Sequence, residues 1–292
     1  MSTDTSFTPP TFVEDLDDAT DTSPAWSADL LPDLSTPLAR LVLAVADDEL
    51  VTGHRAQFWT GVAPSLESDL AFSTIAQDEV NHADTWFSLL VDREADDARR
   101  RIDALGLGRT PDQYRPAALC ALPPGDFVWS LARHWAYDHA DVVRLGALAD
   151  SSHGDVAGLS RKLLREERYH LLHADDWFDR LTADGHEGRQ RYADALRDVL
   201  PRALWLFEPL DGEDEIVDEG LLPSRSTELR GRWLEGVTAA LSSVGLDDVL
   251  PDDLEPSYDD PAGRRGVHGE AFTQDVWPEM TTLYRAHPGA SW

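Results

Sequence analysis

Cysteine is nearly absent: Cys120 stands alone in 292 residues, which excludes an intramolecular disulfide framework and any thiolate metal cage. No run of 18 apolar residues occurs, so no stretch reads as a membrane-spanning helix. The N-terminus is acidic where a signal peptide carries positive charge, and a cytoplasmic location is expected. A Gly-rich phosphate loop, a Gly-x-Ser-x-Gly elbow and a βαβ alternation are also missing, which removes the common nucleotide-binding and serine-hydrolase classes. Positive charge is scarce as well. Against 55 acidic side chains stand 25 basic ones, a formal net charge of -30. Phosphate recognition needs clustered Lys and Arg, so nucleic acid is excluded as an expected partner. The one basic run, Arg99 to Arg101, is outnumbered by Asp92, Glu94, Asp96, Asp97 and Asp103 around it.

What is present is a globular composition, 42% hydrophobic with ten tryptophans, long enough for one large core. Lys162 is the single lysine, so the cationic charge is almost all arginine. Heavy acidic charge keeps a protein soluble but strains its compact state unless salt screens it. A salt-adapted source explains this balance; a GC-rich genome favouring arginine is the alternative.

Residues 1–33 are rich in Asp, Thr, Ser and Pro without apolar periodicity, and a disordered acidic leader is expected there, with a docking patch around Trp26, Leu30 and Leu31. Residues 34–292 then read as a single helical domain. Leu38, Leu41, Val42, Val45, Leu50 and Phe58 keep helical spacing up to about Thr60, with Pro37 in the first turn. After the break at Gly61 to Pro64, Ser65 caps a second helix that runs to about Val91. The stretch from Asp92 to Pro124 is too long for a hairpin turn and reads as a crossover, with a short helix near Arg99 to Leu105. Two further long helices follow, from Gly125 to about Asp150 and from Asp155 to about Asp184. Two long hairpins joined by a crossover give the connectivity of a ferritin-like four-helix bundle, all-α in class. Accessory C-terminal helices are expected near 187–207, 227–243 and 272–285, with an acidic turn at Asp211 to Glu219.

Two Glu-x-x-His motifs, Glu79 to His82 and Glu167 to His170, fall on the second member of each hairpin. Residues three apart share a helix face, so each motif aims a carboxylate and an imidazole at one point. A dimetal site in such a bundle needs one more carboxylate from each remaining helix. Glu49 lies 30 residues before Glu79, and Asp138 lies 29 before Glu167. If each turn lies about midway, both are level with their partners. Four carboxylates and two neutral imidazoles balance two divalent ions, and this oxygen-rich set suits iron or manganese. A di-iron or mixed iron–manganese centre is therefore expected, with Glu49, Glu79 and His82 on one metal, Asp138, Glu167 and His170 on the other, and Glu79 and Glu167 bridging. Without metal the carboxylates must be protonated or paired with arginine, for which Arg133 and Arg168 are the candidates.

Asp47, Asp48, Asp78 and Glu166 adjoin these positions but point elsewhere on their helices, and are read as surface or supporting residues. His173 is read the same way, and His54 as packing or surface. The tryptophans at 59, 86, 129, 135, 177 and 205 fall mainly at core spacing, and Cys120 reads as a small buried residue.

Four blocks carry a family resemblance. They are DDELVTGHRAQFWTGVAPSLESDLAFSTIAQDEVNHA (Asp47 to Ala83), PPGDFVWSLARHWAYDHADV (Pro123 to Val142), REERYHLLHADDWFDRL (Arg165 to Leu181) and RRGVHGEAFTQDVWPEMTTLYRAHPGASW (Arg264 to Trp292). In this order they resemble the C subunits of phenylacetyl-CoA 1,2-epoxidase complexes, the tail with its Gly-Val-His and Pro-Gly-x-x-Trp most specifically. The resemblance implies a ferritin-like subunit that pairs with a related A subunit, which holds the catalytic di-iron centre and epoxidises the ring. C subunits are regarded as structural, and some have lost their metal ligands, whereas Glu49, Glu79, His82, Asp138, Glu167 and His170 all stand here. The chain has no flavin, iron–sulfur or nicotinamide motif, so electrons are expected from a separate reductase. Two other readings stay open: a self-sufficient di-iron oxidase, and a ferritin-like metal-handling protein.

Overall fold

Thr36 accepts a hydrogen bond from the Ala39 amide, and Pro37 occupies the first turn, so the chain enters its first long helix where capping chemistry dictates. The computed structural model describes residues 28–292 except 184, 186, 252, 253, 259, 260, 288, 289, 291 and 292. The expected leader, with Trp26, lies outside the described residues up to position 27, while Leu31 and Leu34 pack on the core.

Helix α1 spans Pro37–Ala56, and α2, capped by Ser65, spans Leu66–Phe87. The crossover carries α3 (Ala98–Leu107) and the single turn α4 (Ala118–Ala121). Asp126 caps α5, Phe127–Leu148, and α6 follows over Gly154–Thr182. Helix α7 covers Arg189–Ala203 and α9 Ser226–Ser243. Between them the expected acidic turn is instead the short helix α8, Glu213–Asp218. Three of its four acidic residues sit in the first turn, where the helix dipole favours them. A π-helical turn over Ala271–Val276 leads into α10, Trp277–Ala286. No strand occurs among the described residues beyond one isolated bridge, Ala262 to Val267.

Helices α1 with α2 and α5 with α6 form two hairpins that close on each other through α2 and α6, while α7 and α9 cover the outer side of α5. This is the ferritin-like architecture, with accessory helices on the bundle. Helix α1 is buried nearly all round, from Leu41 through Gly53. The crossover and the C-terminal extension cover the faces that the hairpins leave open, so a helix apolar on every side finds no solvent.

Candidate metal centre

Three consecutive carboxylates on α1 point in three directions, and each is buried. Asp47 meets Arg109 in a fully buried ion pair, with Arg109 Nη1 donating to Oδ2 at 2.9 Å and the Arg115 amide at 2.7 Å. Asp48 takes both Arg264 guanidinium nitrogens, at 2.9 and 2.6 Å, together with the Ala117 amide at 2.7 Å. Glu49 faces the bundle axis. Asp47 and Asp48 are therefore not surface residues: they pin the crossover and the C-terminal extension to α1. The all-round apolar pattern of α1 was the signal that this helix has no solvent face.

Around the axis, Glu49, Glu79 and His82 each bring a ligand atom within 4.8 Å of the others, and Glu79, Glu167 and His170 do the same. Gly53 makes this approach possible, since a Cβ there would lie 2.9 Å from the Glu79 Cβ. The imidazoles bind across the hairpins. His82 Nδ1 is 3.1 Å from Glu167, and His170 Nδ1 is 3.4 Å from Glu79 and 3.0 Å from Glu167. Each Nε2 turns outward to the carboxylate just ahead of the opposite motif, His82 to Glu166 at 3.2 Å and His170 to Asp78 at 3.5 Å. An outer carboxylate on the far ring nitrogen fixes the tautomer and orientation that a metal ligand needs.

Asp138 is completely buried but belongs to neither triplet; its Oδ2 lies 3.2 Å from His134 Nε2. Asp141, one turn further along α5, does join the cluster, within 4.8 Å of Glu49 and Glu167. Sequence reasoning passed over it, although the i,i+3 spacing from Asp138 carried the signal. It also missed Arg144, the cation at the cluster, which pairs with Asp141 and Asp48 and lies 3.5 Å from Glu49. Arg133 instead donates to the Leu122 carbonyl at 2.7 Å, and Arg168 is exposed. His173 turns to Phe72 and His134, and His54 to Gln57 and Glu279. Trp59, Trp86 and Trp135 are core; the tryptophans at 129, 177 and 205 are half-buried against it.

Burial pushes Glu49 and Asp138 well above the usual carboxylate range, reinforced for Glu49 by Asp141 and Glu79 and for Asp138 by Glu167 and Glu79. Burial raises Asp141 to about 7, against the pull of Arg144. Glu167 behaves oppositely: burial pushes it up, but the His170 and His82 imidazoles beside it hold it at about 2. Both imidazoles are raised although burial opposes it, His82 chiefly by Glu167 and Glu79, His170 by Asp78, Glu167 and Glu79.

The donor set fits bound metal. Both carboxylate oxygens of Glu49, Glu79, Asp138 and Glu167, and Nδ1 of His82 and His170, are buried without hydrogen-bond partners. Native interiors rarely leave such atoms unsatisfied. With Arg144 pairing with Asp141, four buried carboxylates and two imidazoles remain as an oxygen-rich donor set.

Two reciprocal Glu-x-x-His motifs and further carboxylates inside an antiparallel four-helix bundle define a ferritin-like carboxylate–histidine protein. The chain belongs to the PaaA_PaaC family of phenylacetic acid catabolic proteins, whose model matches residues 26–292. It is 28% identical over 255 residues to the C subunit of 1,2-phenylacetyl-CoA epoxidase from Escherichia coli (strain K12), a match covering 87% of this chain and 99% of that protein. No helix among the described residues is long and apolar enough to cross a membrane.

Proposed function

We propose that this chain serves as the C-type subunit of a phenylacetyl-CoA epoxidase, partnering a catalytic A-type subunit in the cytoplasm and carrying a two-metal centre of its own whose role is structural. Family membership and the near full-length similarity to the Escherichia coli C subunit support the assignment to the complex. The observation that carries the non-catalytic role is the space beside the cluster. The two cavities there, one lined by Tyr137, Asp141 and Arg144 and the other by Tyr137 and His134, measure about 30 and 20 Å³. A benzene-sized guest needs a cavity of roughly 150 Å³, whereas a water needs about 10–15 Å³. The ring of an aryl-CoA ester fits neither of these cavities.

Glu49, Glu79 and His82 would hold one metal, and Asp138, Glu167 and His170 the other. Bound iron or manganese would supply Lewis acidity and redox capacity there. The chain's own contribution is to hold the carboxylates in a buried core and to orient each imidazole through Glu166 or Asp78. Electrons for the complex come from a separate reductase.

Two measurements test this. Anaerobic Fe(II) loading of the full-length chain in high salt, followed by elemental analysis, should give about two metals per chain; a well-folded chain that takes up none removes the metal centre. Size exclusion with an A-type subunit in high salt should give one complex, and two separate peaks would remove the subunit assignment. Turnover of phenylacetyl-CoA by the loaded chain alone would favour the self-sufficient oxidase.

A further inference from the structure

Tyr137 stands on α5 between His134 and Asp141, one helical step from each. It is 2% exposed, and its hydroxyl has no hydrogen-bond partner. Both cavities beside the centre share it as a wall. The larger also has Asp141 and Arg264 in its lining, and Asp141 Oδ2 and Arg264 Nε are buried without partners as well. Three unsatisfied polar atoms around one small cavity are the setting in which ordered water or a small ligand is retained.

We propose that the Tyr137 hydroxyl is the hydrogen-bond donor of a water-sized ligand site beside the carboxylate cluster, occupied by ordered water and, once metal is bound, open to hydroxide or a small monoanion. The size of the cavities limits the ligand to a few atoms. The donor chemistry is one-sided: a phenol carries an O–H that can donate to an anion, which deprotonated carboxylates cannot. Asp141 and Arg264 complete the hydration on the other side. This inference rests on the two-metal reading for its anion and stands without it for its water.

The test compares the full-length chain with Tyr137→Phe, which removes one oxygen and keeps the ring. Azide titration of the iron-loaded, air-oxidised chain, followed by absorbance, should show binding weakened roughly tenfold to a hundredfold in the variant, the loss of one hydrogen bond to a charged ligand. Equal azide affinity at equal iron content overturns the proposal. A second pair of measurements needs no metal. A high-resolution crystal structure of the metal-free chain should show water bonded to Tyr137 Oη, and Tyr137→Phe should lower the melting temperature. Dry cavities, or a variant as stable as the parent, overturn it, because removing an unpartnered hydroxyl is neutral or stabilising. If the parent takes up no iron, the two-metal reading fails, and these metal-free measurements decide the inference alone.

Discussion

His82 Nε2 lies 3.2 Å from the carboxylate of Glu166, the residue just ahead of the opposite motif. The relationship is reciprocal, since His170 Nε2 lies 3.5 Å from Asp78, the residue just ahead of Glu79. Each motif is thus an acid-Glu-x-x-His unit whose leading acid braces the other unit's imidazole. The two bracing acids are half-exposed while the imidazoles are buried, so the braces close the cluster toward solvent. Glu166→Gln and Asp78→Asn should keep the fold and weaken metal binding by roughly ten- to a hundredfold each. Competition against a chelator of known affinity measures this. Unchanged affinity in both variants would mean that the outer carboxylates do not orient metal ligands.

Gly53 sets how closely α1 approaches α2. A Cβ at this position would meet the Glu79 Cβ at 2.9 Å, the Ala76 carbonyl at 3.0 Å and Val80 at 3.1 Å. Gly53→Ala gains helix propensity but must push the helices apart at the level of a proposed ligand. The expected net cost is about 1–3 kcal/mol, as for other overpacked cores, and the metal-loaded chain should lose more than the metal-free one. Urea melts of both forms check this. A more stable variant with unchanged metal content would show that the crossing relaxes without disturbing Glu79.

The hairpins, the crossover and the meeting of Glu49, Glu79, His82, Glu167 and His170 were legible because each rests on local rules: helical spacing, caps at Thr36, Ser65 and Asp126, and the three-residue step of Glu-x-x-His. What the sequence hid depends on contacts distant in the chain. Arg264 reaches Asp48 from more than two hundred residues away, and Arg109 reaches Asp47 across the crossover. No periodicity announces such pairs. The choice between Asp138 and Asp141 depends on the rotation of α5 against α1 and α6, which spacing along one helix does not fix. The short helix α8 was read as a turn because its acidic residues suggested only solvent exposure.

In the metal-free chain the pKa shifts of the cluster nearly all carry one sign. Glu49, Asp138, Asp141, His82 and His170 are raised, so the folded chain holds these protons more tightly than the unfolded one. Their contribution to stability is fully present below the unfolded pKa values and is lost as pH rises through the folded ones. Asp141, at about 7, titrates inside the accessible range. Glu167, lowered to about 2 from 4.5, has the opposite sign: its contribution is present above 4.5 and is lost only as pH falls toward 2. Metal-free stability should therefore fall between about pH 5 and pH 8. Metal binds the deprotonated ligands, so loading should release protons and the gap between loaded and metal-free stability should widen over this range, by about 1.4 kcal/mol per pH unit for each proton released. Melting curves of both forms in high salt check it. A gap that stays flat would mean that these carboxylates and imidazoles do not ligate the metal.

Asp47 and Arg109 test how the crossover is held. Both side chains are completely buried, and the guanidinium also lies 3.9 Å from the centre of the Tyr114 ring. Asp47→Asn keeps an oxygen for the Arg115 amide but leaves Arg109 as an uncompensated buried charge. The expected cost is about 3–5 kcal/mol, whereas an exposed pair such as Arg191 with Asp126 is worth roughly 0–1. Salt separates the two cases, because screening acts on exposed charges and hardly on buried ones. In urea melts the deficit of Asp47→Asn should be the same at low and high KCl, while that of Asp126→Asn should shrink as salt rises. The double variant Asp47→Leu with Arg109→Met should regain much of the loss, since replacing a buried pair by apolar groups is often neutral. If Asp47→Asn costs less than about 1 kcal/mol, the pair does not hold the crossover, and its position must then come from apolar packing around Tyr114 and Leu105.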